Sequence, residues 1–538
     1  MKKVSPLLYS IHVFFVLMFS FILIGSNQTF AQNNNKNQGI NIGSKRQLFV
    51  DNYLIQTISG KAELKLHNPV PREIVLTHDA PWEGNASVYH SVFKDGDIYR
   101  MYYRGSQINI DSVANKILTA SSSGRFCYAE SKDGINWVKP NLGLFEYQGS
   151  KKNNIVLSDT SFGDLKVNVG TADGATASFF KDENPNVLPS EKYKAFVMAY
   201  NFKPSGLMAF KSADGIHWEP MHNKPVITNG AFDSQNIGFW DSEIGAYRAY
   251  WRYFQPFKAT NSRFFGIRAI RTATSKDFIH WENEKDLKYE NSPHDELYTN
   301  QIFPYYRAPQ LLVGFPNRYI DREEWSSSMY ALPEVKHRQL RSKISMRYGT
   351  ALTDALFMSS RDGAVFNRWN EAFFRSGTER PGTWNYGQHY VAWGMLETMS
   401  SMAGAPNELS FYSSESYWTG NSNDLRRYTL RIDGFASLSA PMKGGEVITK
   451  PFKFDGEKLS VNFATSVAGS IRIELQDVDG NAIPGFTLQE CAELYGDNLD
   501  REVSWKGGAV PGNLLNHNIK MRIVLKDAEL YSFHFKRN

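Results

Sequence analysis

Cysteine is nearly absent from this 538-residue chain, which contains only Cys127 and Cys491. Two isolated thiols cannot build the disulfide framework of a small secreted domain, and we interpret both as buried free thiols. The chain also lacks an excess of one charge, because 60 Lys and Arg residues stand against 55 Asp and Glu residues. This balance excludes the basic field that nucleic-acid-binding proteins present.

A long apolar run occurs once, at residues 7–24. Lys2 and Lys3 precede it and the small-residue stretch ending at Ala31 follows it, which is the pattern of a secretory signal at residues 1–31 with cleavage after Ala31. The run is also nearly long enough for an uncleaved membrane anchor. Residues 32–44 predict a disordered linker. We expect a periplasmic or secreted protein without an integral membrane segment after leader removal.

Aromatic side chains are abundant: 36 Phe, 27 Tyr and 12 Trp make up 14% of the chain. Aromatic residues favour β-strands, and they also form the flat surfaces on which sugar rings stack. Hydrophobic residues make up 42% of the chain and charged residues 21%, which excludes intrinsic disorder. The composition therefore predicts a globular protein rich in β-structure.

One short pattern recurs four times, each time after an apolar strand-like run. It consists of Ser, one variable residue, Asp, usually Gly, and then a Trp that follows closely. The Asp-Gly pair predicts a tight turn whose carboxylate accepts backbone N–H groups, and the Trp predicts the start of an outgoing strand. The copies lie at residues 131–137, 212–218, 275–281 and, in a looser form, 359–369.

Two further strand-like runs precede each copy, and a fifth group of strands lacks the Asp-Gly-Trp signature. Three strands, a turn and a fourth strand are the order of one propeller blade. Residues 45–434 therefore predict a five-bladed β-propeller, with a sandwich or β-helix as the alternative. Alternating apolar stretches in residues 435–538 predict a C-terminal antiparallel β-sandwich. The predicted fold class is all-β.

Three acids lie where the predicted strands begin. The innermost strand of each blade starts beside the propeller axis, so residues at these starts converge. Asp233 and Glu296 precede innermost strands and have amides as sequence neighbours, while Asp354 precedes a parallel third strand. Glycoside hydrolysis needs one ionised carboxylate and one that keeps a proton. All three are candidate catalytic residues, although each alone can also be a turn-capping carboxylate.

Candidate substrate-binding residues lie at the same predicted strand ends. Arg104, Arg307 and Arg318 can clamp an anionic substrate or form strand-end salt bridges. The tryptophans can stack on a sugar or fill the blade core. We therefore expect a carbohydrate partner, neutral or anionic, and no nucleic acid. The candidate set is Trp82, Glu83, Arg104, Gln235, Asn300, Arg318, Trp384 and His389.

Other chemistries leave no pattern in the sequence. There is no Gly-rich phosphate loop, no His-Glu-x-x-His and no Gly-x-Ser-x-Gly. The histidines are scattered, and none pair at metal-ligand spacing. The sequence therefore predicts neither a cofactor nor a metal site.

The blade order and several motifs together resemble the five-bladed propeller glycoside hydrolases of families 32, 43 and 68. The motifs are Trp82-Glu83, residues 99–105, 230–236 and 296–301, and Trp393-Gly394. The resemblance implies a glycosidase with Glu296 as its general acid. The family 32 nucleophile motif is replaced by Trp82-Glu83-Gly84-Asn85-Ala86, so no nucleophile is carried over. A non-catalytic carbohydrate-binding propeller is the alternative function.

Overall fold

The computed structural model describes residues 39–119, 124–171, 174–256, 266–290, 292–508, 510 and 512–537. Strands account for 49% of the residues and helices for 5%, which confirms the all-β class. Cys127 and Cys491 are buried free thiols, as predicted. The predicted signal peptide and residues 32–38 of the predicted linker lie outside the described residues. The end of that linker differs from the prediction, because Ile40–Gly43 is a strand paired in parallel with Phe452–Phe454.

Five sheets of antiparallel strands follow one another along the chain and match the five predicted strand groups. The first contains Val88–Asp95, Ile98–Gly105, Arg125–Ser131, Trp137–Val138 and Ile155–Ser158. The second contains Ala177–Lys181, Tyr193–Ala199, Gly206–Ser212 and Glu219–Pro220. The third contains Ile237–Asp241, Ala246–Gln255, Ile267–Ser275 and Trp281–Asp286.

The last two sheets each include a strand from another part of the chain. The fourth contains Phe303–Tyr305, Ala308–Gly314, Met358–Ser360 and Val365–Arg368, with Lys288–Glu290 added in parallel. The fifth contains Leu396–Thr398, Glu408–Glu415 and Asp424–Leu430, and its outermost strand is Val70–Thr77. Because Val70–Thr77 directly precedes the first sheet in sequence, it ties the last sheet to the first.

The Asp-Gly turns form as the sequence predicts. In the first copy, the Asp133 carboxylate accepts hydrogen bonds from the backbone N–H groups of Ile135 and Asn136, both at 2.8 Å. The Ser131 hydroxyl accepts from Gly134 N at 2.9 Å. Burial opposes ionisation, but the hydrogen bonds from Asn136 and its neighbours lower the pKa of Asp133 to about 2. The other three copies repeat these bonds around Asp214, Asp277 and Asp362.

Each glycine turn is also bound by an adjacent sheet. Tyr102 of the first sheet donates to Gly215 O of the second at 2.8 Å. Tyr250 of the third sheet donates to Gly363 O of the fourth at 2.8 Å. Tyr412 of the fifth sheet donates to Gly134 O of the first. These bonds place the first sheet beside both the second and the fifth.

The fourth sheet carries an insertion at the end where its innermost strand begins. There the strands continue as a second, three-stranded sheet of Glu296–Leu297, Asn317–Asp321 and Ala351–Ala355. Among the described residues, α-helices occur only between its last two strands, at Ser327–Ala331, Val335–Ser342 and Arg347–Thr350. The Ser326 hydroxyl caps the first by accepting from Met329 N at 3.2 Å. In the described part of the chain no helix is both long and apolar enough to cross a bilayer.

An eight-stranded sheet joins the two ends of the described chain. Its long strands Lys458–Gln476 and Lys520–Lys536 run antiparallel over a core rich in Phe and Ile side chains. The remaining strands are Gln47–Leu48, Ile55–Gly60, Glu63–Leu66, Ala436–Ala440, Gly445–Thr449 and Asp497–Glu502. Residues 47–66 thus pair with the C-terminal region, which differs from the predicted boundary at residue 45. Alternation alone does not show that these N-terminal strands complete a sheet whose other members lie far along the chain, as Leu66 pairs with Ala436 and Gln47 with Phe533.

Short elements complete the description. They are the hairpins Ile108–Asp111 with Lys116–Thr119 and Thr160–Phe162 with Leu165–Val167, and the 3₁₀ helices Pro189–Glu191 and Gly512–Leu514.

Candidate functional site

Five tyrosines meet where the innermost strands begin. We call Tyr89, Tyr298, Tyr386, Tyr390 and Tyr417 the tyrosine basin. The Tyr390 ring centroid lies 5.3 Å from that of Tyr298, 5.4 Å from that of Tyr417 and 6.0 Å from that of Tyr89. The Tyr386 centroid lies 5.9 Å from that of Tyr417. Burial raises the pKa of Tyr89, Tyr386 and Tyr390 well above the usual value, so their hydroxyls stay protonated at neutral pH.

The backbone at the edge of the basin is strained. Tyr89 has a φ of 62°, in the left-handed region that an aromatic residue rarely adopts, and the pairing of its strand shifts register between Val88 and Ser91. His389, just before the basin residue Tyr390, has a φ of 59°. Strain of this kind costs on the order of 1 kcal/mol and persists only where the surrounding structure holds it. At Tyr89 the register shift directs the ring into the basin.

Asp233 and Glu296 each pair with an arginine that contacts one basin tyrosine, Tyr298. Asp233 Oδ2 is 3.7 Å from Arg252 Nη2, and the Glu296 carboxylate forms an ion pair with Arg268. The guanidinium carbons of Arg252 and Arg268 lie 4.8 and 5.5 Å from the Tyr298 ring centroid. The Asp233 side chain is 55% exposed and that of Glu296 is 32% exposed. Both acids are therefore open to a ligand beside the basin.

Their immediate partners differ from those expected from sequence. The sequence neighbours of Asp233 and Glu296 are amides, whereas each folded carboxylate faces an arginine that is distant in sequence. Arg252 and Arg268 come from the second and third strands of the third sheet. Sequence adjacency could not reveal these contacts. The Asp233–Arg252 contact follows from the pairing of the first two strands of the third sheet, and the Glu296–Arg268 contact from how the third sheet lies against the three-stranded sheet.

The third predicted acid lies on another face. In the three-stranded sheet Glu296 pairs with Tyr319, while Arg318 pairs with Asp354. Successive side chains alternate between faces, so Asp354 and Glu296 project from opposite faces. Asp354 instead forms a bidentate ion pair with Arg318, with Nε–Oδ1 and Nη2–Oδ2 distances of 3.0 and 2.6 Å. The structure does not bring Asp354 together with the other two acids.

Arg318, Asp354 and Trp384 line a separate cavity of about 480 Å³, which we call the side cavity. Trp384 donates through Nε1 to Gly377 O at 2.9 Å and leaves part of its ring exposed. An ion pair beside an indole ring suits the binding of a sugar, although the carboxylate and guanidinium here already satisfy each other.

Gln235, a predicted substrate-binding residue, directly precedes the third sheet and has no exposed surface. Its Nε2 donates to Tyr89 O at 2.9 Å and to Ser91 Oγ at 3.1 Å. Its Oε1 accepts from Gln301 Nε2 at 2.7 Å. These bonds connect the segments at the first strands of the first, third and fourth sheets. Gln235 therefore has a structural role.

Asn300 and His389 are likewise enclosed. Asn300 is 1% exposed, and its Nδ2 donates to Tyr250 O at 3.4 Å. His389 has no exposed surface, and its Nδ1 lies 3.1 Å from Ser413 Oγ. Burial lowers the pKa of His389 to about 4, so the ring is neutral at physiological pH. Neither side chain presents a polar atom to the basin opening.

Glu83 and Trp82 precede the first sheet in sequence, and both side chains form hydrogen bonds with other protein groups. The buried Glu83 carboxylate accepts from the Tyr103 hydroxyl at 2.5 Å and from Lys139 Nζ at 2.6 Å. Trp82 donates from Nε1 to Asn154 Oδ1 at 2.6 Å. Their polar atoms are satisfied inside the protein rather than turned toward a ligand.

The three arginines predicted to clamp an anionic substrate, Arg104, Arg307 and Arg318, mostly contact other protein groups. Arg104 donates to Ala86 O at 3.0 Å, and its guanidinium carbon lies 4.8 Å from the Tyr89 ring centroid. Arg307 lies 3.6 Å from the Asp433 carboxylate. Arg318 is paired with Asp354 in the side cavity. Of these three arginines, only Arg104 therefore borders the basin.

Sequence reasoning missed the helical insertion, which brings Arg338 and Arg341 against the basin. The Arg341 guanidinium carbon lies 5.5 Å from the Trp418 ring centroid, and Trp418 lies 6.4 Å from Tyr386. Burial and the charge of Arg338 lower the pKa of Arg341 to about 9. The insertion has no counterpart in the other units, and its unusual length was the signal available. In the described residues no group of three or more His, Cys, Asp or Glu side chains is arranged to hold a metal ion.

Comparison with known proteins finds similarity only at the level of solved structures. No family model and no curated protein matches the chain. The structure of BT0996 in complex with RGII is 12% identical over 68% of this chain and 92% of its own length, with a TM-score of 0.42. A glycosyl hydrolase from Bacteroides ovatus is 13% identical over 70% and 96%, with a TM-score of 0.36. An N-acetylgalactosamine deacetylase from F. plautii, in complex with blood group B trisaccharide, is 11% identical over 68% and 94%, with a TM-score of 0.38.

Glycoside hydrolases are thus among the solved structures to which this chain is similar, and they are the class that its motifs resemble. At these identities and TM-scores the function has to be argued from the chain's own site.

Proposed function

We propose that this protein is a secreted glycoside hydrolase that holds an oligosaccharide or polysaccharide over the tyrosine basin and cleaves it with Asp233 and Glu296. The observation that carries the proposal is that these two solvent-accessible carboxylates pair with arginines that both contact the Tyr298 ring. A paired-carboxylate hydrolase requires two such acids about 5 to 9.5 Å apart around one sugar.

The proposed scaffold is a five-bladed β-propeller followed by a β-sandwich. The closure of the fifth sheet by Val70–Thr77 supports a ring, as do the tyrosine bonds between neighbouring sheets. In a ring, the starts of all innermost strands face one opening, which explains why residues as distant as Tyr89 and Tyr390 stack on each other. The eight-stranded sheet and its core supply the sandwich.

The two acids take different roles in this proposal. The ion pair with Arg268 holds the Glu296 carboxylate in place, which suits it to the part of base or nucleophile rather than the general acid implied by the family resemblance. Asp233 is the more exposed of the two acids and lies 3.7 Å from Arg252 Nη2, and we assign it the part of proton donor.

Aryl glycosides test this assignment because a good leaving group needs no protonation. We expect Asp233→Asn to lose activity toward natural glycans and to retain most of it toward a dinitrophenyl glycoside. Glu296→Gln is expected to lose both activities, and azide to restore turnover only if Glu296 is the nucleophile. If instead only Glu296→Gln retained activity toward the dinitrophenyl glycoside, Glu296 would be the proton donor and Asp233 the base or nucleophile. Full activity in both variants would show that neither acid is catalytic.

A non-catalytic carbohydrate-binding propeller is the second candidate. The observation that favours it is that Asp233, Glu296 and Asp354 each lie within 4 Å of an arginine nitrogen. Wild-type protein that binds a glycan in the basin without releasing product from any member of a glycan panel would establish this alternative.

A further inference from the structure

The helix Val335–Ser342 buries two arginines at the basin without giving either of them a carboxylate to pair with. Arg338 and Arg341 both have 0% exposure. Arg338 donates from Nε to Pro333 O at 2.9 Å and from Nη2 to Trp384 O. Among the described residues, none accepts a hydrogen bond from Nε, Nη1 or Nη2 of Arg341. The charge of Glu334 acts on Arg341 across the helix without such a bond.

Burying a cation in this way is costly. A charged group removed from water destabilises the protein by several kcal/mol unless a partner compensates it. Arg341 also lies close enough to Arg338 for their charges to repel each other. A methionine or leucine would fill the same space without that cost, so packing alone does not explain the residue.

A second buried donor lies beside Arg341. Trp418 Nε1 likewise has no acceptor among the residues that the structure describes, and its ring is the one that Arg341 contacts. Tyr390 OH, in the tyrosine basin, also has no partner among these residues. Buried donors in folded proteins are nearly always satisfied, so the unmet donors of Arg341 and Trp418 indicate a site suited to an acceptor-rich group.

We propose that Arg341, together with Arg338, binds the carboxylate or sulfate group of an acidic sugar whose ring rests on the tyrosine basin. A planar guanidinium such as that of Arg341, whose donors have no protein acceptor among the described residues, can recognise a two-oxygen anion in bidentate fashion. The inference rests on the proposed function, since it names the class of glycan that the same site takes. It uses residues other than Arg104, Arg307 and Arg318, whose donors are engaged by protein groups.

The test compares binding of acidic and neutral probes to the full chain. D-glucuronic acid, D-galacturonic acid and D-galactose 6-sulfate are titrated at low salt beside D-glucose and D-galactose, with NMR as the readout. We expect at least one acidic sugar to bind about tenfold more tightly than its neutral parent. We expect Arg341→Met to abolish that preference, and the uronic and sulfated probes to show which anion the site takes. Equal affinity for acidic and neutral sugars in the wild type would overturn the inference.

Lys343→Met is the matched control, because it removes a positive charge from the exposed end of the same helix segment. It is expected to keep the preference for the acidic probe. Stability gives an independent readout: without ligand, Arg341→Met is expected to melt at a higher temperature than the wild type, because an uncompensated buried charge is gone. A lower melting temperature together with retained acidic-sugar preference would assign Arg341 a purely structural role.

The outcomes also separate this inference from the proposed function. Hydrolysis of a neutral glycan that Arg341→Met leaves unchanged would overturn the acidic-sugar site and keep the hydrolase. Acidic-sugar binding that depends on Arg341 in a wild type that cleaves nothing would keep the site and overturn the hydrolase. Equal affinity for sodium sulfate and galactose 6-sulfate would overturn the assignment to a sugar.

Discussion

The aspartates at the turn end of the five sheets and Arg341 at the basin end differ in whether their hydrogen bonds are satisfied. At the turn end, the carboxylates of Asp133, Asp214 and Asp277 each accept two backbone N–H groups from within three residues. At the basin end, the buried donors of Arg341 and Trp418 have no acceptor among the described residues. The comparison teaches that the turn aspartates serve stability, while Arg341 and Trp418 keep hydrogen-bonding capacity for a ligand at some cost in stability.

The largest effect is expected from the basin end, where Glu296→Gln should lower glycan turnover by about a thousandfold or more. The side chain is partly exposed and nearly isosteric with its replacement, so the unfolding midpoint should change little. Initial rates and chemical denaturation on the same sample measure both quantities. A large fall in the unfolding midpoint would instead show that Glu296 has a structural role.

Glu83 provides a further test of the comparison. Its position in the sequence predicts a substrate-binding residue, but its carboxylate bonds to Tyr103 and Lys139 inside the protein. Glu83→Ala should destabilise the protein by about 3 kcal/mol, since it leaves Lys139 beside a buried, unpaired site. The urea-unfolding free energy measures this change. Replacing both residues, as Glu83→Gln with Lys139→Met, should recover part of the loss. A variant with normal stability and impaired sugar binding would return Glu83 to the substrate site.

A turn carboxylate should have a smaller effect, confined to stability. Asp214→Ala removes the acceptor for the N–H groups of Ile216 and His217 and should cost about 1 kcal/mol, as the loss of a helix cap does. Turnover should stay at the wild-type level. Asp214→Asn, which keeps an acceptor oxygen, is the control and should lose less. A fall in turnover without a fall in stability would contradict the division between the two ends.

The smallest expected effect is a dependence on acid pH. Burial opposes ionisation, but backbone hydrogen bonds lower the pKa of Asp133 and Asp277 to about 2, below the unfolded value of about 3.9. The stability they contribute is therefore present above pH 4 and is lost as the pH falls toward 2. In the double variant Asp133→Asn, Asp277→Asn the unfolding free energy should fall less steeply across this range. An unchanged slope would contradict the turn geometry.

The sequence predicts the turn end of the sheets well and the basin end poorly. The turns repeat, so Asp133 and its equivalents reveal their local hydrogen bonds and the strand order around them. The contacts of Arg252 and Arg268 with Tyr298 depend on how separate sheets pack, and sequence proximity instead suggested amide neighbours for Asp233 and Glu296. Asp354 was misplaced relative to Glu296 because the face on which a strand residue projects follows from register. Arg341 lies in a helical insertion that no repeat announces.

A crystal structure of Glu296→Gln soaked with acidic oligosaccharides tests the central claim most directly. We predict a sugar ring on the tyrosine basin, with the scissile oxygen between Asp233 and residue 296 and an anionic group on Arg341. A sugar bound only in the side cavity beside Trp384, with the basin unchanged, would contradict the account.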